Sequence, residues 1–360
     1  MLLGDVSKIK TGNLDVNAKV EIGRYPFFTC AQKPERINSY SFDCECVLVA
    51  GNGDLNIKYY KGKFDVYQRT YVVEVLQKDR LDTRFLFYFL NKYLVRLRSQ
   101  SIGGVIKYIK MANLTDIELP EYSLKKQKQI IQILDTADNL RQKRKEQLAL
   151  LDDYLKSVFL DMFGDPVKNC KQWRIVFFSK GIDSIKYGTS IPPEFSDFGY
   201  PFIRATNVKN GGIASDNMLF ISEIEAKKIK KCKLILGDII IVRSGANTGD
   251  NAVVNTEYEG AYAAYDIIIR MNNLFHPIFI NGVLNSVYKE AVISPLTRRA
   301  GQPHLNTTQI NNLPIYLPPF ELQNKFADIV EQVEQIKQKM RVSLDEMDNH
   351  FNALMQRYFE

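Results

Sequence analysis

Apolar residues recur four and three apart in two long stretches of the chain and gather in short runs elsewhere. The first series is Ile130, Leu134, Ala137, then Leu148, Leu151, Leu155, Val158 and Met162. The second is Phe326, Val330, Val333, Met340, Leu344, Met347, Phe351, Leu354 and Tyr358. This spacing keeps the heptad register of a coiled-coil seam and predicts two long helices that pack on each other. The two stretches superimpose when the sequence is shifted by 196 residues, which takes Arg141 to Lys337 and Arg144 to Met340. Matched polar breaks in a seam fix register at some cost in stability. At about 40 residues, each helix would reach roughly 60 Å.

The repeat continues outside the helices. VSKIKTG (6–12) answers IDSIKYG (182–188), RYPFFTCA (24–31) answers GYPFIRAT (199–206), and VLVAGNGD (47–54) answers IIIVRSGANTGD (239–250). TYVVEV (70–75) then answers YDIIIR (265–270). These are strand-like runs, several closed by Gly/Asn turns. The predicted fold is therefore mixed α/β, with two pseudo-repeated globular domains separated by two long antiparallel coiled-coil spacer helices. The expected boundaries are 1–120, 121–164, 165–317 and 318–360.

Composition narrows the class only slightly. The net charge of +7 suits an anionic partner without requiring one. Residues 122–164 carry eight Lys/Arg against six Asp/Glu, and 320–360 five against eight, a mild complementarity between the two helices. The five cysteines and three histidines lack zinc-ligand spacing, so the thiols are expected to be reduced and buried. No apolar run approaches the roughly 20 residues of a membrane helix, and the first residues lack the apolar core of a signal peptide. A cytoplasmic protein with no membrane association is expected.

The junctions LPEYSLKKQKQI (119–130) and LPPFELQNKF (317–326), with Gln127 and Gln323 in matching places, carry a family resemblance. Together with LGDVSKIKTG and the turns AGNGD and SGANTGD, they make the chain similar to specificity (S) subunits of type I restriction–modification systems. The first junction departs from the double-proline form, with one proline and two extra residues before its glutamine. The resemblance covers essentially the whole chain. It implies two target-recognition domains, each reading one half of a bipartite site on double-stranded DNA, with the helices fixing the gap. It also implies two methyltransferase subunits as partners, restriction subunits joining that core, and adenine methylation or cleavage directed by the chain. S-adenosylmethionine would belong to the methyltransferase partners, ATP and magnesium to the restriction partners, and no cofactor to this chain.

Candidate DNA contacts follow from side chains that neutralise phosphates or pair with base edges. In the first domain these are Lys33, Arg36, Asn52, Lys58, Tyr59, Lys61, Gln68, Arg69 and Lys107. In the second they are Arg204, Asn207, Lys209, Arg243, Ser244, Asn247, Arg298, Arg299, Gln302 and His304. An ordinary hairpin with cross-strand tyrosines and solvated lysines would give residues 51–71 the same composition.

Catalysis finds no support in the motifs. LPPF (317–320) and IPPEF (191–195) imitate an adenine-methyltransferase loop in shape, but their first residue cannot accept a hydrogen bond from the target amino group. GNGD lacks the ending of a phosphate-binding loop. The chain is read as non-catalytic; the rival readings are a coiled-coil scaffold with protein-only partners and a stand-alone DNA methyltransferase.

Overall fold

A computed structural model describes residues 1–209, 211–297 and 303–360. The chain divides into two compact units, one of residues 1–145 with 341–360, the other of residues 146–340.

The first unit holds strands β1 (Ser7–Thr11), β2 (Tyr25–Phe28), β3 (Glu35–Ile37), β4 (Phe42–Ala50), β5 (Ile57–Val66) and β6 (Thr70–Val75). They form one sheet in the order β1-β6-β4-β5-β2-β3. Helices α1 (Leu3–Val6), α2 (Thr83–Gln100) and α3 (Ala112–Thr115) precede the long α4 (Leu124–Phe163). Strand alternation gives the sheet two apolar faces. One carries Val47, Val49, Val73 and Val75 against Phe85, Leu86, Phe89 and Leu90 of α2, together with Ile130, Leu134 and Met355. The other gathers Phe28, Cys46, Leu48, Phe64, Val66 and Val72.

The second unit holds β7 (Arg174–Phe177), β8 (Ile182–Tyr187), β9 (Phe195–Ser196), β10 (Tyr200–Ile203), β11 (Val208–Lys209), β12 (Gly212–Ile213) and β13 (Leu219–Ile221). It continues with β14 (Ile239–Ile241), β15 (Asn251–Val253), β16 (Tyr262–Ala263), β17 (Ile267–Met271) and β18 (Pro314–Leu317). Its helices are α5 (Glu223–Lys228), α6 (Pro277–Leu284), α7 (Ser294–Thr297) and α8 (Thr307–Asn311), before the long α9 (Phe320–Phe359).

The central ladder is the same in both units. β1-β6-β4-β5 in the first matches β8-β17-β14-β15 in the second, antiparallel throughout. The far half of β5 pairs in parallel with β2; in the second unit that half is a separate strand, β16, in parallel with β10. The ladders also correct the sequence alignment. Ile9 faces Val73 and Ile185 faces Ile269, so Val73 corresponds to Ile269 and TYVVEV aligns one residue later than its composition suggests. A slip of one residue in a strand exchanges its two faces, so the ladder decides.

The two matching glutamines have one job. Buried Gln127 accepts the Asp82 N–H at 2.9 Å and donates to the carbonyls of Arg80 (2.7 Å) and Tyr122 (2.9 Å). Buried Gln323 accepts the His276 N–H at 2.8 Å and donates to Leu274 (3.3 Å) and Pro318 (3.0 Å). Asp82 and His276 are the N-caps of α2 and α6. Each glutamine therefore ties the start of a long helix to the corner where the sheet hands over to its packing helix.

In the first unit, Ile130 and Leu134 share a core with Phe351, Leu354 and Met355, and Arg141 pairs with both Asp138 and Asp348. In the second, Phe159 and Phe163 stand 5.5 Å from Phe326, and Lys337 pairs with Glu334 and with Asp152 at 2.7 Å. In both, the partner numbers run in opposite directions. Asp138–Arg141–Asp348 and Glu334–Lys337–Asp152 are the same ion triad, each member shifted by 196 residues.

Ile130, Leu134, Phe326 and Val333 are buried, and the other predicted seam residues are half-buried. Phe159 and Phe163, outside the predicted series, are more buried than their neighbours Val158 and Met162, because this end of α4 enters the core of the second unit. All five cysteines are free; Cys170, expected to be buried, is exposed.

Candidate nucleic-acid interface

In the first unit three loops meet at one end of the sheet. The Gly51 N–H donates to the Arg69 carbonyl at 2.8 Å, the Gly53 N–H to the Lys107 carbonyl at 2.9 Å, and the Ile109 N–H to the Gly51 carbonyl at 2.9 Å. The loop after β2 joins them, with the Gln32 amide on Asp54 (3.1 Å) and the Asn56 amide on the Cys30 carbonyl (2.8 Å). A cavity of about 260 Å³ opens among them, lined by Gly51, Gln68, Arg69, Tyr71 and Ile109. Asn52 bridges to Tyr108 on its rim, and Gln68, Arg69 and Lys107 are exposed. Donors and cations are thus gathered on one side, a composition that suits phosphate and base-edge contacts.

The second unit builds the corresponding cluster. Ser244 bridges to His304 as Asn52 does to Tyr108, and the Leu305 N–H donates to the Arg243 carbonyl at 2.8 Å as Ile109 does to Gly51. The chemistry differs because Arg243 stands where the first unit has Gly51. Its guanidinium lies 4.3 Å from the Tyr187 ring centre and 4.1 Å from that of Tyr265, with Nη2 at 2.9 Å from the His304 ring. Cation–π contact on both sides fixes its orientation. Asn247 lies in the adjoining turn, where its carbonyl accepts the Asp250 N–H at 2.9 Å.

Beneath this cluster, buried Asp266 accepts the Arg243 backbone N–H at 3.3 Å. Burial pushes its carboxyl from an ordinary value near 3.8 up to about 6, against the opposing pull of Arg243. Below about pH 4 the group is protonated folded or unfolded. Between about pH 4 and 6 only the unfolded chain releases its proton, so this group costs the fold stability as pH rises through that window. The cost at neutral pH is on the order of 2–3 kcal/mol. Asp266→Asn is therefore expected to raise stability at pH 7 more than at pH 4, as read by denaturant titration; equal changes at the two pH values would contradict this.

Several predicted contacts lie elsewhere. Sheet alternation separates Lys58 from Tyr59 and Lys61. The Lys58 ammonium is bonded to Asn56, and burial lowers its pKa. The Tyr59 hydroxyl donates to Glu45 at 2.7 Å beneath Arg84 of α2, and burial helped by Glu45 pushes its pKa up to about 12. It is held as a packing residue. Asn207 is fully buried, its amide on the carbonyls of Ala214 (3.2 Å) and Asp216 (3.0 Å). Arg204 is half-buried and donates to the Asn217 carbonyl at 2.6 Å. Lys33, Arg36, Lys61 and Lys209 are exposed, with Arg36 on edge strand β3. Arg298, Arg299 and Gln302 lie outside the described residues.

Sequence reasoning missed Tyr187, Tyr265 and Gln32. Tyr187 sits in the repeated KYG of 186–188, where the first unit has KTG, and that single difference was its only signal. Among the described residues no group of three His, Cys, Asp or Glu side chains could hold a metal ion, and no helix is long and apolar enough to cross a membrane.

One sheet and one loop cluster, built twice with different side chains at the rim, define a tandem binding protein. The chain belongs to the family described as type I restriction modification DNA specificity domain, which it matches over residues 1–150 and 184–344. This family supplies the non-catalytic recognition components of type I restriction systems. The chain is 40% identical over 154 residues to the type I restriction enzyme EcoDI specificity subunit of Escherichia coli, a match covering 43% of this chain and 34% of that protein. It thus spans about a third of that relative's length. It is 24% identical over 328 residues to the MjaVIII specificity subunit of Methanocaldococcus jannaschii, covering 86% of this chain and 77% of that one. Its fold resembles the type I restriction–modification S subunit from M. genitalium, with a TM-score of 0.64 at 18% identity, over 100% of this chain and 95% of the other.

Proposed function

We propose that this chain selects the DNA target of a type I restriction–modification complex, each unit reading one half of a bipartite site. The observation that carries this reading is the duplicated loop cluster. Asn52, Gln68, Arg69 and Lys107 gather on one sheet, and Arg243, Ser244 and His304 on its repeat. Similar scaffolds with different rims suit two half-sites of different sequence. The long helices α4 and α9, with their matched ion triads, form an antiparallel spacer that sets the gap between half-sites. A gap must hold both distance and helical phase, about 34 Å per DNA turn, which a flexible linker does not do. Recognition domains at 1–120 and 165–317 and spacers at 121–164 and 318–360 are the working division. The partners are double-stranded DNA, two methyltransferase subunits that carry S-adenosylmethionine, and restriction subunits that use ATP and magnesium, all in the cytoplasm. The chain directs their adenine methylation or cleavage and performs neither.

Exchanging residues 1–120 for the corresponding domain of another specificity subunit tests this division. Methylation mapped in cells carrying the chimera should change in one half of the target and keep the other half and the gap. Loss of the untouched half would contradict two independent readers.

A further inference from the structure

The hairpin that follows α2 ends in an unusual tip. Ile102 and Tyr108 exchange both backbone hydrogen bonds, at 2.9 and 2.8 Å, and close the loop Gly103-Gly104-Val105-Ile106-Lys107. Gly103 has φ +116°, and a Cβ there would lie 2.5 Å from the Ile106 carbonyl oxygen, so the turn needs glycine. Val105 is 104% exposed and Ile106 is 62% exposed. Val105 buries nothing in the unit that carries it, and Ile106 leaves most of its apolar side chain in water.

The mounting of this tip indicates what would cover it. Its base is fixed to the Gly51–Asp54 turn through the Asn52–Tyr108 bridge and the Gly53 N–H on the Lys107 carbonyl. It therefore projects from the loop cluster that presents Asn52, Gln68 and Arg69, with the Lys107 ammonium next to the two apolar residues in sequence. An apolar point flanked by cations and amides fits a DNA groove, where the thymine C5-methyl is the apolar feature of a base edge. A partner protein's apolar pocket would not call for the adjoining Lys107, Arg69 and Gln68.

We propose that Val105 and Ile106 form an apolar reading tip that contacts a thymine methyl in the half-site of the first unit. This rests on the reading of the chain as a DNA specificity subunit. The expected contribution is about three- to fourfold in affinity for each methyl removed from water.

The test uses the full chain in complex with its methyltransferase partner, and duplexes of the methylated target with each thymine replaced in turn by deoxyuridine. For the wild type, one replacement in the first half-site should weaken binding about three- to fourfold. The V105S/I106S variant should bind the unmodified duplex more weakly by at least that factor and should ignore the same replacement. Its thermal unfolding should match the wild type, since both side chains are exposed. Equal deoxyuridine sensitivity in both proteins, or none in the wild type, would overturn the proposal while leaving the broader reading intact. So would a variant that fails to join the methyltransferase without DNA, because the tip would then belong to a protein contact. Absence of selective, salt-sensitive binding by the wild-type complex would instead overturn the specificity-subunit reading itself.

Discussion

Gly188→Ala is expected to unfold the second unit or to cost it more than about 4 kcal/mol, and Gly12→Ala should do the same to the first. A Cβ on Gly188 would lie 1.8 Å from the Ala264 carbonyl oxygen, and one on Gly12 would lie 1.9 Å from that of Val66. Both obstacles are backbone: Val66 ends β5 in its parallel pairing with β2, and Ala264 follows β16 with its N–H on the Ile203 carbonyl at 2.8 Å, so no side chain can rotate away. The glycines end the matching runs KTG and KYG, just past β1 and β8, where the chain passes close to the end of β5 and to the residue after β16, neither of them its ladder neighbour. Circular dichroism and denaturant titration of the two variants would check this. A loss under about 1 kcal/mol in either would show that the strands part more easily than the packing implies.

The second large effect concerns the glutamines. Gln323→Ala would leave the His276 N–H and the carbonyls of Leu274 and Pro318 without partners in a fully buried place. Each unsatisfied buried group costs about 1–3 kcal/mol, so the three together should cost about 3–9 kcal/mol, toward the lower end if water fills the gap. Gln127→Ala should behave alike through Asp82, Arg80 and Tyr122. Gln323→Glu gives a finer check, because a carboxylate keeps the acceptor for His276 but loses the donors to the two carbonyls. It should be less damaging than alanine at low pH, where the protonated acid can donate one bond. Denaturant midpoints at pH 4 and 7 would measure this, and a variant insensitive to pH would contradict the assigned bonds.

Both predictions come from repeated residues, and the repeat was legible in the sequence because glycine, proline and a buried amide tolerate few replacements. The two long helices were legible for the same kind of reason, since apolar residues recur four and three apart along each of them. Register was less so. TYVVEV and YDIIIR are apolar throughout, and composition alone aligned them one residue away from the ladder. Phe159 and Phe163 escaped because one helix changes the face it buries on entering the second unit, a change no constant period shows.

The candidate interface was legible as a set of loops and poorly legible residue by residue. Asn52, Arg69 and Lys107 are distant in sequence and meet through backbone bonds that only the fold supplies. Tyr59 was a candidate contact by composition, yet α2 covers its face of the sheet and Glu45 takes its hydroxyl. Arg243, a candidate contact by its charge, is 8% exposed between two tyrosines. Polar composition marked the loops; burial and the direction of each side chain came from tertiary packing.

The central claim is that two similar units read two half-sites at a gap set by the paired helices. Single-molecule sequencing of methyladenine, in cells carrying the cognate methyltransferase with and without this chain, tests it most directly. The account predicts a split motif of two short half-sites around a fixed non-specific gap, absent when the chain is removed. Methylation at one continuous motif, or methylation that persists without the chain, would contradict it.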